Sequence, residues 1–432
     1  MISIVIASID GTASIETCVE SVDKHTPEDH ELIVVDVPEE DSDWAVPQAF
    51  NRGAAQASGE YLAFLTADTI ATPSWLTQLV DCASKTGASM VGPVCNLLPG
   101  TQNFVPDLGN YEDVCSFAKE FNRPDQSRWK RVVRVAGAPS LVSTEVFRSL
   151  DGFDERFRSG GFADDDFCLR LALRGKTVFV AGDTYVHRSG PRHVLQGEPE
   201  RIRMLDQEAR KMCSKWNLDD PLAAEPRRDV LSLLELKGKR VLDVKCRTGA
   251  TLLECVERGA TGTGLEDDRV MRAVASSACK DLGDVKIMRS TREVAEKGAY
   301  DLVLAVWQLE RFPNPPSVLR RYKSFLAEGG ILLAVVRNSW ALSRLLPLLL
   351  TAPPPTYPRP AWGPSAAPDD VLRWFKEAGL MVTSVKPAYA PQLGREPFLD
   401  GFLKLAKNHG FLDEPRREYY SDECWFMAKL PK

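Results

Sequence analysis

The sequence predicts an α/β protein made of two doubly wound, mainly parallel sheets in succession. Three observations predict this. The chain has 432 residues, too many for one ordinary core and close to two domains of about 200 residues each. In its first half, short β-rich runs alternate with amphipathic helical stretches, the order that winds a parallel sheet. The alternation restarts in the second half after a polar break at 217–229, NLDDPLAAEPRRD.

The elements follow in order. SIVIAS (3–8) is the first strand; MISIVIASID has no basic leader and turns polar by Ser8, which argues against a signal peptide. An amphipathic stretch, Ser14 to His25, precedes ELIVVDV (31–37), and a second, Ala45 to Ala57, precedes EYLAFL (60–65). Further strands are expected at SMVGPV (89–94), VRVAGAPSLV (133–142) and KTVFVAG (176–182), with a polar helix from Pro199 to Trp216. Beyond the break come KGKRVLDV (237–244), a helix around Ala250 to Arg258, GTGLE (262–266), DLVLAVW (301–307) and ILLAVV (331–336). The division gives a domain at 1–218, a linker at 219–229 and a domain at 230–432. The Pro-rich TAPPPTYPRPAWGP (351–364) reads as a long loop of the second domain, either a lid or a passive crossing.

Composition narrows the function. A net charge of −6 and a pI near 5.6 argue against nucleic acid as a partner. Ten cysteines without a C-x-x-C pair fit reduced thiols in the cytoplasm. Trp340 to Ala352, the most apolar stretch, contains Arg344 and Pro347 and is too short to span a bilayer. It reads as a core helix, with peripheral contact at a membrane surface left open.

Ligands of open parallel sheets bind beyond the carboxyl ends of the strands. Ser8, Asp36 and Asp68 all stand at such ends. Each alone is a turn or cap residue as readily as a ligand; three on successive strands point to one crevice. Asp36 can accept hydrogen bonds from a nucleobase or ribose, and Asp68 can hold a hard divalent cation. Further on, Asp164, Asp165 and Asp166 precede a helical pattern. They either complement the positive helix end or include a general base raised by its like-charged neighbours. His187, beyond the strand 177–181, can complete a metal site with Asp68.

In these motifs the first half resembles the family 2 inverting glycosyltransferases of the GT-A, Rossmann-like fold. SIVIASIDG stands at the family's I-P-T-Y-N opening, ELIVVDV at its E-I-I-V-V-D strand, and FNRGAAQASGEYLAFLTADT at its N-x-G-x-x-x-A-x-G-E-Y-L-x-F-L-N-x-D-T signature. GGFADDDFCLRLALRGKTVFVAGDTYVHRSG is similar to its G-x-x-E-D-x-D-x-x-x-R segment, and EARKMCSKWN (208–217) carries its closing Lys-Trp. The resemblance implies a nucleotide-sugar donor against Ala7, Ser8, Ile9, Asp36 and Asp68, and Mn2+ or Mg2+ held by Asp68 and His187. It implies Asp164 as catalytic base toward a hydroxyl of a glycan, glycolipid or protein, as in bacterial surface-glycan synthesis. Three departures stand against it: Ala7 for the proline, Thr66-Ala67 before the acid, and Ala163 for the glutamate. A silent glycan-binding or scaffold protein is the alternative.

KGKRVLDVKCRTGATLLECVERGATGTGLEDD (237–268) resembles the V-L-D-x-G-C-G-x-G motif and acidic strand end of class I S-adenosylmethionine-dependent methyltransferases. AYDLVLAVWQLERFPNPPSVLRRYKSFLAEGGILLAVV (299–336) is similar to their later strands. The resemblance implies a class I methyltransferase fold and S-adenosylmethionine as cofactor, with Asp243, Gly249 and Glu266 binding it. Lys245 and Arg247 replace two glycines of the turn, and Arg311 stands at a histidine. Bulk and positive charge there oppose a sulfonium ligand. The expectation is a degenerate cofactor site, in a domain that methylates the product or else binds acceptor, partner or an anion.

Overall fold

The computed structural model describes residues 1–9, 14–37, 46–158, 161–190, 199–283, 285–339, 364–388 and 421–431. The apolar stretch at 340–352 lies outside them, as does the Pro-rich segment up to residue 363.

Buried apolar runs become the central strands. The first series comprises β1 (Ile2–Ile9), α1 (Ser14–His25), β2 (His30–Val37), α2 (Val46–Gln56), β3 (Tyr61–Thr66), β4 (Thr69–Ile70) and α3 (Trp75–Thr86). It continues with β5 (Met90–Cys95), α4 (Tyr111–Phe121), β6 (Trp129–Val132), β7 (Ser140–Ser143), α5 (Thr144–Ser149), α6 (Ala163–Leu173), β8 (Val178–Arg188) and α7 (Pro199–Trp216). They form an eight-stranded sheet in the order β2-β1-β3-β7-β5-β8-β4, with β6 on β8. Leu62, Ala63, Phe64 and Leu65 of β3 are all fully buried. A strand covered on both faces has no polar alternation, which explains the unbroken run in EYLAFL. α2 lies close on β1, since a Cβ at Gly53 would come within 2.2 Å of Val5 Cγ1. Asn51 beside it exchanges hydrogen bonds with the backbone of Phe153, 2.9 Å each way.

The sheet is mixed where the sequence suggested a mainly parallel one. β1, β2 and β3 are parallel, but β7 runs antiparallel to both β3 and β5. The apolar run at 133–142 is not one strand: Gly137 and Pro139 interrupt it, and proline has no N–H for a ladder. β8 runs farther than KTVFVAG suggested, so His187 and Arg188 belong to the strand and pair with Ile70 and Thr69.

The second series is a short helix α8 (Arg228–Leu231), β9 (Arg240–Val244), α9 (Ala250–Glu257), β10 (Thr261–Leu265), α10 (Arg269–Ala278), β11 (Val285–Met288) and β12 (Tyr300–Val306). Then follow α11 (Pro315–Lys323), β13 (Leu326–Arg337), α12 (Pro368–Glu377), β14 (Met381–Ala388) and β15 (Glu423–Lys429). Its sheet has the order β11-β10-β9-β12-β13-β15-β14. The first five strands are parallel and β15 is antiparallel to its neighbours. This is the class I methyltransferase arrangement, and Leu242, Val303, Ala305, Leu332, Ala334 and Phe426 fill its core. Among the described residues no helix is long and apolar enough to cross a membrane.

Helix α6 is tied to α7 through a fully buried acid. Asp166 accepts from Arg170 Nε at 2.8 Å and Trp216 Nε1 at 2.8 Å, and pairs with Lys215 Nζ at 2.5 Å. This is what the Lys-Trp near the end of α7 is for. Asp166→Ala removes the shared anion, leaving Lys215 to Asp154 and Arg170 to the carbonyls of Leu150 and Gly152, with the bond from Trp216 Nε1 lost. It should cost roughly 3 kcal/mol or more of stability in chemical denaturation; a loss below about 1 kcal/mol would show that the tie is dispensable.

Candidate functional sites

Parallel pairing sets the residues of the first site side by side. Register places Ser8 of β1 opposite Asp36 of β2, and Ala7 opposite Thr66 of β3. Ala7 and Ser8 are buried while Asp36 is exposed. Ile9 pairs with Val37 at the same end. Because β7 is antiparallel to β3, with Ser140 opposite Phe64, the chain entering β7 lies beyond the carboxyl end of β3. Gly137, in that entering segment, donates its N–H to Asp164 Oδ2 at 2.9 Å. β5 and β8 run parallel to β3, so His187 and Arg188 end there too. One end of the sheet thus carries Ala7, Ser8, Ile9, Asp36, Asp68, Asp164, His187 and Arg188.

The partners of Asp68 differ from the expected ones. Arg188 Nε lies 3.1 and 3.0 Å from its two carboxylate oxygens, and Arg188 Nη2 lies 2.9 Å from Oδ2. Thr66 Oγ1 donates to Oδ1 at 2.6 Å. A carboxylate offers about four lone-pair directions, and these contacts take them up. His187 bonds Tyr185 instead, its Nδ1 2.7 Å from the phenol oxygen. Among the described residues no group of three His, Cys, Asp or Glu side chains is placed to hold a metal ion. In this arrangement the donor set does not fit a divalent cation at Asp68 and His187.

The acidic triplet is likewise met by a cation that sequence reasoning missed. Arg134, a lone charge in an apolar run, has a side chain only 10% exposed and pairs with Asp164, Asp165 and Glu225. Asp164 also accepts from the N–H of Asp165 at 3.0 Å. One guanidinium against three carboxylates leaves the cluster short of positive charge. Burial pushes Asp164 above the ordinary carboxylate range, and pushes Asp165 up to about 8 against the attraction of Arg134. Asp166 is committed to α7, while Asp164 and Asp165 share the one guanidinium of Arg134.

In the second sheet Asp243 is the penultimate residue of β9 and Glu266 follows β10, at the ends of neighbouring parallel strands. Both are buried. Burial, then the charge of Glu266, raises Asp243 to about 7. The turn after β9 keeps the backbone path of a glycine turn without two of its glycines. Lys245, Arg247 and Gly249 have φ of 66°, 55° and 80°, the left-handed region that favours glycine. Their long side chains turn to acids. Lys245 Nζ sits 2.7 Å from Glu266 Oε1 and also pairs with Asp267, and Arg247 pairs with Asp219. Lys245 therefore occupies the carboxylate expected to grip ribose hydroxyls. Arg311 bonds the carbonyl of Trp307 at 3.1 Å.

Comparison with known proteins matches both halves. Residues 4–193 fit the model of the glycosyltransferase-like family 2, and residues 218–385 fit that of a methyltransferase domain. The chain carries a family 2-like glycosyltransferase domain followed by a methyltransferase domain. It is similar to an O-antigen biosynthesis protein of Myxococcus xanthus, 34% identical over 160 residues, covering 34% of this chain and 12% of that protein. It is also similar to the ubiquinone biosynthesis O-methyltransferase of Marinobacter nauticus, 31% identical over 133 residues, covering 28% of this chain and 56% of that enzyme. The chain thus spans about an eighth of the first relative and just over half of the second. Among solved structures, a methyltransferase from Mesorhizobium loti aligns at 15% identity and a TM-score of 0.34, over 46% of this chain and 95% of that one.

Two predictions follow for the methyltransferase domain. Its fold prefers protonated Asp243; that stability is full below the ordinary pKa of 3.8 and is lost as pH rises through about 7. Asp243→Asn, which mimics the neutral acid, should gain stability relative to the parent between about pH 5 and about pH 8, by up to about 4 kcal/mol. Parallel stability curves would contradict the shift. Lys245→Gly should raise affinity for S-adenosylmethionine by roughly tenfold or more in calorimetry, since the ammonium no longer competes for Glu266. Unchanged affinity would show that the lysine does not close the site.

Proposed function

We propose that the chain transfers a sugar from a nucleotide-sugar donor to a hydroxyl of a glycan, glycolipid or protein acceptor, inverting the anomeric carbon. The observation that carries this reading is the placement of Asp164, through Gly137, at the sheet end that also holds Ser8, Asp36 and Asp68. Asp36 and the end of β1 receive the nucleoside, and the acceptor lies against Asp164. Asp164 takes the proton of the acceptor hydroxyl. The acceptor oxygen bonds to the anomeric carbon, and the bond to the donor diphosphate breaks with its electron pair leaving on the nucleoside diphosphate. The relative named for O-antigen biosynthesis supports a bacterial surface glycan as acceptor.

The domain limits we assign are 1–218 and 230–432, joined by 219–229. S-adenosylmethionine, when bound, supplies an electrophilic methyl group, and the C-terminal domain would set that group on the glycosylated product. Asp243 and Glu266 would hold the cofactor, with Gly249 giving the turn its close approach. Lys245 on Glu266 favours a second reading of this domain, a non-catalytic module that binds acceptor or partner.

Transfer or donor hydrolysis across a panel of nucleotide sugars tests the first reading. Asp164→Asn should lower turnover roughly a hundred- to ten-thousandfold with donor affinity nearly unchanged. If Asp165→Asn shows that pattern and Asp164→Asn does not, the base is misassigned.

A further inference from the structure

The cation at the tip of β3 comes from the chain itself. Asp68 is embraced along the Nε–Nη2 edge of Arg188, and Thr66 supplies a further bond to Oδ1. The backbone reinforces the pairing: Ser189 N–H and Oγ–H donate to the carbonyl of Asp68 at 2.8 and 3.1 Å. Asn96 clamps the backbone of Arg188 from the other side, accepting from its N–H and donating to its carbonyl at 2.9 Å each. Gly190 closes the turn; a Cβ there would come within 2.4 Å of Asp68 Oδ2. A divalent ion at Asp68 would have to displace a bidentate guanidinium whose strand is fixed at both neighbours.

We propose that Arg188, and not a divalent metal ion, supplies the positive charge against the donor diphosphate, so that this glycosyltransferase domain binds nucleoside diphosphates without metal. The proposal rests on the nucleotide-sugar reading above. A guanidinium has five N–H donors and matches phosphate oxygens in pairs. Asp68 takes one edge of Arg188, whose side chain remains 25% exposed. Asp68 then acts as a positioning residue: it neutralises part of the guanidinium's charge and aims it. His187, bonded to Tyr185, does not enter the contact.

Calorimetric titration of the full chain with UDP and with GDP tests this, in EDTA and again with added Mn2+. At least one nucleotide should bind with the same affinity in both buffers. Arg188→Ala should weaken that binding roughly ten- to a hundredfold, and Arg188→Lys should restore part of it. Mn2+ that raises affinity of the parent chain tenfold or more overturns the proposal and leaves the glycosyltransferase reading standing. Absence of binding in both buffers overturns the nucleotide-sugar reading and this one together. The comparison of the two buffers uses the parent chain, so it holds even where a variant fails to fold.

Discussion

A carboxylate taken out of water costs several kcal/mol unless a cation or several N–H donors meet it. That constraint organises both candidate sites. Strand and helix ends bring acids to the rim of each sheet, and the chain answers several of them with its own cations. Arg188 meets Asp68, Arg134 meets Asp164 and Asp165, Arg170 and Lys215 meet Asp166, and Lys245 meets Glu266. Where the balance is short, as around Arg134, burial shifts the acids toward the protonated form. The same shortage that is awkward for stability raises both carboxyls above their ordinary range.

The architecture was legible in the sequence because burial writes itself into hydrophobic runs. EYLAFL and KRVLDV became central strands and ELIVVDV the edge strand β2, and Asp36 and Asp243 fell near strand ends as the alternation required. VRVAGAPSLV misled for the opposite reason. It is apolar because Val133, Val135 and Ala136 are buried, yet only Ser140–Ser143 pairs in the sheet. Burial and ladder pairing are separate properties, and hydropathy reports only the first.

The partners of the acids were not legible. Arg188 is 120 residues from Asp68 in sequence, and Arg134 is 30 from Asp164. No periodicity links such positions, and an arginine in VHRSG or VRVAG looks like any surface charge. Lys245 and Arg247 were legible as misfits in a glycine turn, but not in where their side chains go. The backbone follows the left-handed path regardless, and the charges turn aside to Glu266, Asp267 and Asp219. The methyltransferase domain therefore keeps the backbone path of a glycine turn while Glu266 beside it is already engaged by Lys245.

The most direct measurement is a crystal structure of the full chain grown with nucleoside diphosphate and Mn2+, with anomalous scattering recorded at the manganese edge. Built-in charge compensation predicts guanidinium nitrogens of Arg188 within about 3 Å of diphosphate oxygens, Asp68 still paired to Arg188, and no manganese peak beside them. A manganese ion bridging Asp68 and the diphosphate, with Arg188 swung away, would contradict it.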